Sequence, residues 1–336
     1  MATTCNEEMT DREGAGFAQT FLTSGAGVLY ALLYTVLSAV ASQFMALNSQ
    51  AGIPGLQLMF LVKLVQTLAV AFFLPFFRPK LTTESGRQSL LLVLSTILEN
   101  LGSVFQYMSF IYVVPGIAFG IIKGSMPLAS ACIGFLFLKE TVGVVDGFGI
   151  VLNVAGVAVV ASGLITENTS STQHLTASLL LPFAATFSRA PNLVISRSLI
   201  GVQKVSVLTV LFYADLAGAV VLLGLTYWLE TPVWAMSAQT VGCVIALCLC
   251  VCGAQFATKL SLKTEKAGIT ATIKTFTIPL AVLLDYVVQS EFPSLLKFGG
   301  VVLIVFGTGV VAVYTWWKHR KETLHKEFME SLDFNK

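Results

Sequence analysis

Apolar runs long enough to cross a hydrocarbon layer of about 30 Å recur along the chain, each separated from the next by a short polar interruption. They predict helices near 22–46, 55–77, 88–108, 115–138, 142–163, 175–198, 205–228, 234–256, 267–288 and 295–317. Ten spans take up nearly the whole sequence, leaving a short N-terminus (1–21) and a tail (318–336). The expected fold class is therefore all-α, a polytopic membrane protein.

Charges in the interruptions alternate. If both termini are cytosolic, the cytosolic segments hold Arg12, then Arg78, Lys80 and Arg87, then Lys139, then Arg197 and Lys204, then Lys259, Lys263 and Lys266, and five more in the tail. That is 15 of the 20 Lys and Arg, against only Lys297 in the opposite loops. Basic residues favour cytosolic loops, so both ends are expected in the cytosol. The one Asn-x-Ser/Thr glycosylation signal, at Asn168, falls in the non-cytosolic loop 164–174, where such a signal belongs.

A repeat runs through the chain at an offset of 151 residues, pairing Lys123 with Lys274, Glu140 with Glu291, Gly149 with Gly300 and Gly156 with Gly307. Pro127 and Pro279 match with a slip of one residue. The units are 22–163 and 175–317, with five spans each. An odd number of spans inverts the second copy, and inverted repeats build carriers that alternate access around a site near the bilayer midplane.

Composition sharpens this. The 336 residues have a mean hydropathy of +0.81 and are 55% hydrophobic but only 11% charged, where a soluble domain carries about 25%. A water-exposed surface is excluded. Cys243, Cys248, Cys250 and Cys252 lie within one apolar run; residues two apart on a helix point about 200° apart, so they read as small buried hydrophobes rather than a metal site. His174, His319 and His325 fall in a loop and the tail. The first twenty residues are polar and acidic, so no signal peptide is expected. No phosphate-cradling loop, metal-ligand cluster or nucleophile–base pair is present, which argues against an enzyme and predicts no cofactor, metal or nucleic-acid partner.

Ionisable residues inside the spans are the candidates for chemistry: Lys63, Glu99, Lys123, Arg189, Asp215, Lys274 and Asp285. Each costs at least about 2.5–3.5 kcal/mol if left in lipid, so each faces a partner or a water-filled cavity. Lys123 and Lys274 stand out because the repeat places them at similar depth on opposite walls. Two ammonium groups there form a receptor for a carboxylate, phosphate or nucleotide diphosphate. The competing reading neutralises each lysine with a carboxylate, Glu99 or Asp215. Lys63 and Arg189 complete the candidate substrate-binding set. Gly116, Gly120 and Gly124 share one helical face beside Lys123 and favour close packing, while Pro127 and Pro279 are placed to interrupt their helices just past the lysines.

The stretch from Pro115 through Lys139-Glu140, the repeat and the spans together resemble the drug/metabolite transporter superfamily of EamA type, over residues 22–317. Gln255-Phe256, Thr258-Lys259, Glu265-Lys266-Ala267-Gly268, Lys274-Thr275 and the opening Leu29-Tyr30-Ala31-Leu32-Leu33 are similar to the G subgroup of solute carrier family 35. That resemblance implies two five-helix units and transport of a small organic solute. Lys123 departs from the subgroup, which has a small polar residue there, and is similar instead to the nucleotide-sugar branch of the family.

The expected function is secondary-active or exchange transport of a small organic anion of carboxylate type, in the plasma membrane or in the endoplasmic reticulum or Golgi. Nucleotide-sugar antiport and a non-transporting scaffold are the alternatives. A homodimer through the Gly-rich fifth and tenth spans is a further expectation.

Overall fold

The computed structural model describes residues 26–112, 115–139, 143–167, 175–289 and 294–334. Asn168, His174, Cys5, Arg12 and the Glu140/Glu291 pair lie outside them. The described residues form helices α1 (Ala26–Gln50), α2 (Gly55–Phe77), α3 (Gly86–Tyr112), α4 (Pro115–Leu138), α5 (Val144–Glu167), α6 (Leu175–Arg197), α7 (Val207–Leu229), α8 (Ala238–Thr264), α9 (Ala267–Lys274), α10 (Thr277–Gln289) and α11 (Leu295–Phe334), with no strand among them. By length and composition, eight stretches among them suffice to cross a membrane, one of which joins α9 to α10. Val144–Val160 is a shorter apolar helix, and α6 is diluted by Arg189, Asn192 and two internal prolines.

Three differences from the sequence expectation exceed a shift of a few residues at a helix end. First, α8 continues to Thr264, so Lys259, expected in a cytosolic loop, is buried inside a helix. Second, the ninth span breaks at Thr275-Phe276. Proline has no N–H and its ring clashes with the carbonyl four residues back, so Pro279 leaves the Thr275 carbonyl to a tighter bond from Ile278 N at 3.0 Å. The matching Pro127 leaves α4 unbroken. Third, the last helix does not stop at 317 but runs to Phe334.

Polarity is inverted relative to a soluble protein. Phe76, Phe77, Phe137 and Trp228 are exposed, whereas Lys63, Glu99, Asp215 and Lys259 are buried. Hydrocarbon solvates the first set and would not solvate the second.

The helices pair antiparallel: α1 with α8, α3 with α6, α2 with α7, and α5 with α11. Two clips hold α2 to α7. At one end Glu230 accepts from the backbone N–H of Leu56 at 3.1 Å, satisfying an orphan donor in the first turn of α2, and Gln57 exchanges hydrogen bonds of 2.7 and 2.8 Å with Val233. At the other, Thr209 and Tyr213 donate to the carbonyls of Lys80 and Leu81 at 2.9 and 3.2 Å.

Glycines set the α5–α11 contact. A Cβ on Gly156 would lie 2.8 Å from the Gly300 carbonyl oxygen, and one on Gly149 would lie 2.9 Å from that of Gly307. This face is occupied within the chain, so a homodimer through these helices has only their outer faces to use. Gly156→Ala is expected to destabilise the protein by about 1–3 kcal/mol, because backbone rather than a flexible side chain must yield. Gly147→Ala, whose Cβ meets nothing within 4 Å, is the control. Thermal unfolding in detergent should separate them, and equal melting temperatures would refute the close approach.

Candidate functional site

Lys123 lies in the first half of α4, and the next residue, Gly124, packs on α5 so closely that a Cβ there would clash with the Val157 side chain. Lys274 is the last residue of α9. The break behind it is tied down by side chains: Thr277 donates to the Lys274 carbonyl at 2.8 Å, while Thr275 and Thr308 both donate to Asn153 Oδ1 of α5, Thr308 at 2.9 Å. The freed backbone thus keeps its partners, as irregular backbone inside a membrane must.

Both lysines converge on one residue, Tyr34 of α1. Lys123 Nζ donates to the Tyr34 hydroxyl and lies 4.6 Å from its ring centroid; Lys274 Nζ lies 4.1 Å from the same centroid. Among the described residues neither lysine has a carboxylate within ion-pair distance. Tyr34 and Lys123 line a cavity, partly open to the exterior, together with Gln106, Tyr107, Arg189 and Gln255. Met45, Met59, Val62 and Leu247 supply its apolar wall.

Arg189 reaches this cavity across Gly102, where a Cβ would lie 2.6 Å from its Cγ. One guanidinium nitrogen donates to Ser103 Oγ at 3.3 Å, while its Nε and the nearby Gln106 Oε1 are buried without a partner among the described residues. An unpaired buried donor costs free energy, so both atoms are available to a ligand or to water.

The carboxylates are used elsewhere. Glu99 of α3 accepts from Asn192 of α6, and from Lys259 and Gln255 of α8, both at 3.4 Å. Lys259 also donates to Ser196 at 2.9 Å, and Ser95 to Asn192 at 2.6 Å. Asp215 pairs with Lys63 at 2.7 Å, both buried. Glu99 and Asp215 are thus counter-charges, but to Lys259 and Lys63 rather than to Lys123 and Lys274. Neither Lys63 nor Asp215 lines the cavity.

Of the six sequence candidates, the geometry brings Lys123, Lys274 and Arg189 to or beside the cavity, with Glu99 one contact behind it through Gln255. Sequence reasoning missed Tyr34, for which nothing in the local pattern stands out, and misplaced Lys259. The spacing of Gln255 and Lys259, four apart and hence on one helical face, was the available signal for the latter. Cys248 is buried and Cys250 and Cys252 half-buried, all free, and no metal-binding group of His, Cys, Asp or Glu occurs among the described residues.

A solved crystal structure superposes with a TM-score of 0.72 at 17% sequence identity, covering 87% of this chain and 97% of its own. A likeness at that identity concerns the fold. Residues 25–162 match the model of the EamA-like transporter family. The chain is thus a multi-pass helical membrane protein, similar over its first five helices to EamA-like transporters.

Proposed function

We propose that this protein is a ten-helix carrier of two inverted five-helix repeats that transports a small organic anion of carboxylate type by alternating access, as a secondary-active or exchange transporter. The observation that carries the reading is the pair Lys123 and Lys274, both at the Tyr34 ring with no carboxylate partner among the described residues, and with Arg189 lining the same cavity as Lys123. Buried cations without counter-ions are costly. A bound anion removes that cost and gains charge-assisted hydrogen bonds.

The repeat reading draws support from contacts that survive exchanging the two halves. Gly149 meets Gly307 while its counterpart Gly300 meets Gly156, and the Lys63–Asp215 pair joins positions 152 residues apart. The resemblance to the G subgroup of solute carrier family 35 belongs to the same proposal, as do cytosolic termini and residence in the plasma membrane or an endomembrane. Nucleotide-sugar antiport is the second reading, favoured by Lys123, which that branch shares.

A thermal-shift series on the purified protein tests the choice, because a ligand bound only to the native state stabilises it by about 2.7 kcal/mol at 100 times its dissociation constant. Lactate or succinate is expected to raise the melting temperature by several degrees, and their methyl esters to have no effect. Stabilisation by a uridine-diphosphate sugar alone would favour the second reading. If no anion shifts the transition, the anion site is refuted.

A further inference from the structure

Tyr34 has a place in the site that no sequence motif assigns. Its ring is buried on α1 against Ala254 and Ala257 of α8, which fixes its orientation. The electron-rich face attracts a cation but, unlike a carboxylate, carries no charge to cancel it. One ring serves both ammoniums, at 4.6 and 4.1 Å from its centroid. The phenol oxygen takes the hydrogen bond from Lys123. A phenol that accepts one bond retains a hydrogen to donate, so the same hydroxyl is suited to an anion oxygen arriving between the lysines.

The repeat makes the arrangement more pointed. The residues 151 and 152 positions beyond Tyr34 are Ala185 and Thr186, and neither is aromatic. Ala185 is fully buried, and Thr186 lies 2.9 Å from Ser125 of α4. The lysines are duplicated between the halves and the ring is not. Tyr34 therefore has no aromatic counterpart at the matching position of the second half, and an anion held by both lysines meets chemically different surfaces on the two sides.

We infer that Tyr34 is the positioning residue of the anion site: it holds Lys123 and Lys274 in place where no carboxylate of the described residues does, and its hydroxyl yields Lys123 to the entering anion. This role rests on the anion reading above. It implies that the empty site is kept ready by a phenol in place of a carboxylate, so that binding displaces one hydrogen bond from Lys123 rather than a carboxylate ion pair.

Two variants separate positioning from mere packing. Tyr34→Phe keeps the ring and its fit against α8, so the ligand-free melting temperature should stay close to wild type. Succinate and lactate affinity, read from the thermal-shift series, should fall by about tenfold, the size expected for a hydrogen bond to a charged group. Tyr34→Leu removes the ring as well; affinity should fall further, and the ligand-free protein should melt lower because the two ammoniums lose their shared partner. Loss of melting temperature with unchanged affinity in both variants would make Tyr34 a packing residue and overturn its role alone, provided Lys123→Ala/Lys274→Ala no longer binds. If wild-type protein is stabilised by neither carboxylate, the anion reading and the Tyr34 role fail together.

Discussion

Alanine at both Lys123 and Lys274 is expected to abolish carboxylate binding and uptake while leaving the protein folded. Each ammonium can give a charge-assisted hydrogen bond worth about 1.5–3 kcal/mol, so losing both should weaken affinity by roughly two to four orders of magnitude. Stability should move the other way or not at all. Among the described residues the two lysines share one ring and have no carboxylate within ion-pair distance, and removing like charges so placed relieves desolvation and repulsion. This combination is diagnostic, because a structural lysine lowers stability when truncated. Single alanines should each give an intermediate loss. Lys274→Arg, which places a fork where a point charge sits, should retain binding but lose part of it. Uptake by the double variant at the wild-type rate, with normal expression, would refute the paired-lysine site. A protein acting only as a scaffold would keep its partner while binding no anion in either form.

What the sequence made legible follows from how each feature is encoded. The spans were readable because run length in a hydrophobic chain is a local property: α2 was expected at 55–77 and is found at Gly55–Phe77, and α6 was expected at 175–198 and ends at Arg197. The end of α8 was not readable. A lysine after an apolar run signals a loop unless a partner neutralises it, and Lys259 has its partner, Glu99, 160 residues away.

The two prolines show the same limit at finer scale. Both stand just past a lysine, yet only the second helix breaks. Near Pro279 the side chains of Thr275 and Thr277 engage Asn153 and the Lys274 carbonyl and support an open backbone. Near Pro127, Ser125 and Ser130 bond back to carbonyls of their own helix, Ile121 and Met126, at 2.6 and 2.7 Å.

The site was half legible for a related reason. Charges inside apolar runs announce themselves, so Lys123, Lys274 and Arg189 could be named. Their pairing could not, because four buried lysines, Lys63, Lys123, Lys259 and Lys274, compete for Glu99 and Asp215 and only packing decides. Tyr34 was invisible among 8 tyrosines and 24 phenylalanines, since an aromatic on a membrane helix carries no mark of which way it faces.

The Lys63–Asp215 pair yields the largest expected effect on stability. Both side chains are buried and their contact, at 2.7 Å, ties α2 to α7 between the two end clips. Lys63→Met should cost about 3–5 kcal/mol, because Asp215 is then a buried carboxylate without a counter-ion. The surroundings offer little replacement. Asn100 donates to the Ala214 carbonyl at 3.0 Å, so its amide hydrogens are already engaged, and its Oδ1 is an acceptor beside Gly218. Asp215→Leu leaves an uncompensated ammonium and should cost as much. The double variant Lys63→Met/Asp215→Leu removes both charges and keeps apolar volume, so it should recover most of the loss, giving a large coupling energy in a double-mutant cycle. Chemical unfolding in detergent measures the four corners. Because the pair does not line the cavity, the double variant should also bind succinate or lactate as wild type does. Additive single effects would show that the pair is not coupled, and recovered stability with lost uptake would move Asp215 from structure into the transport cycle.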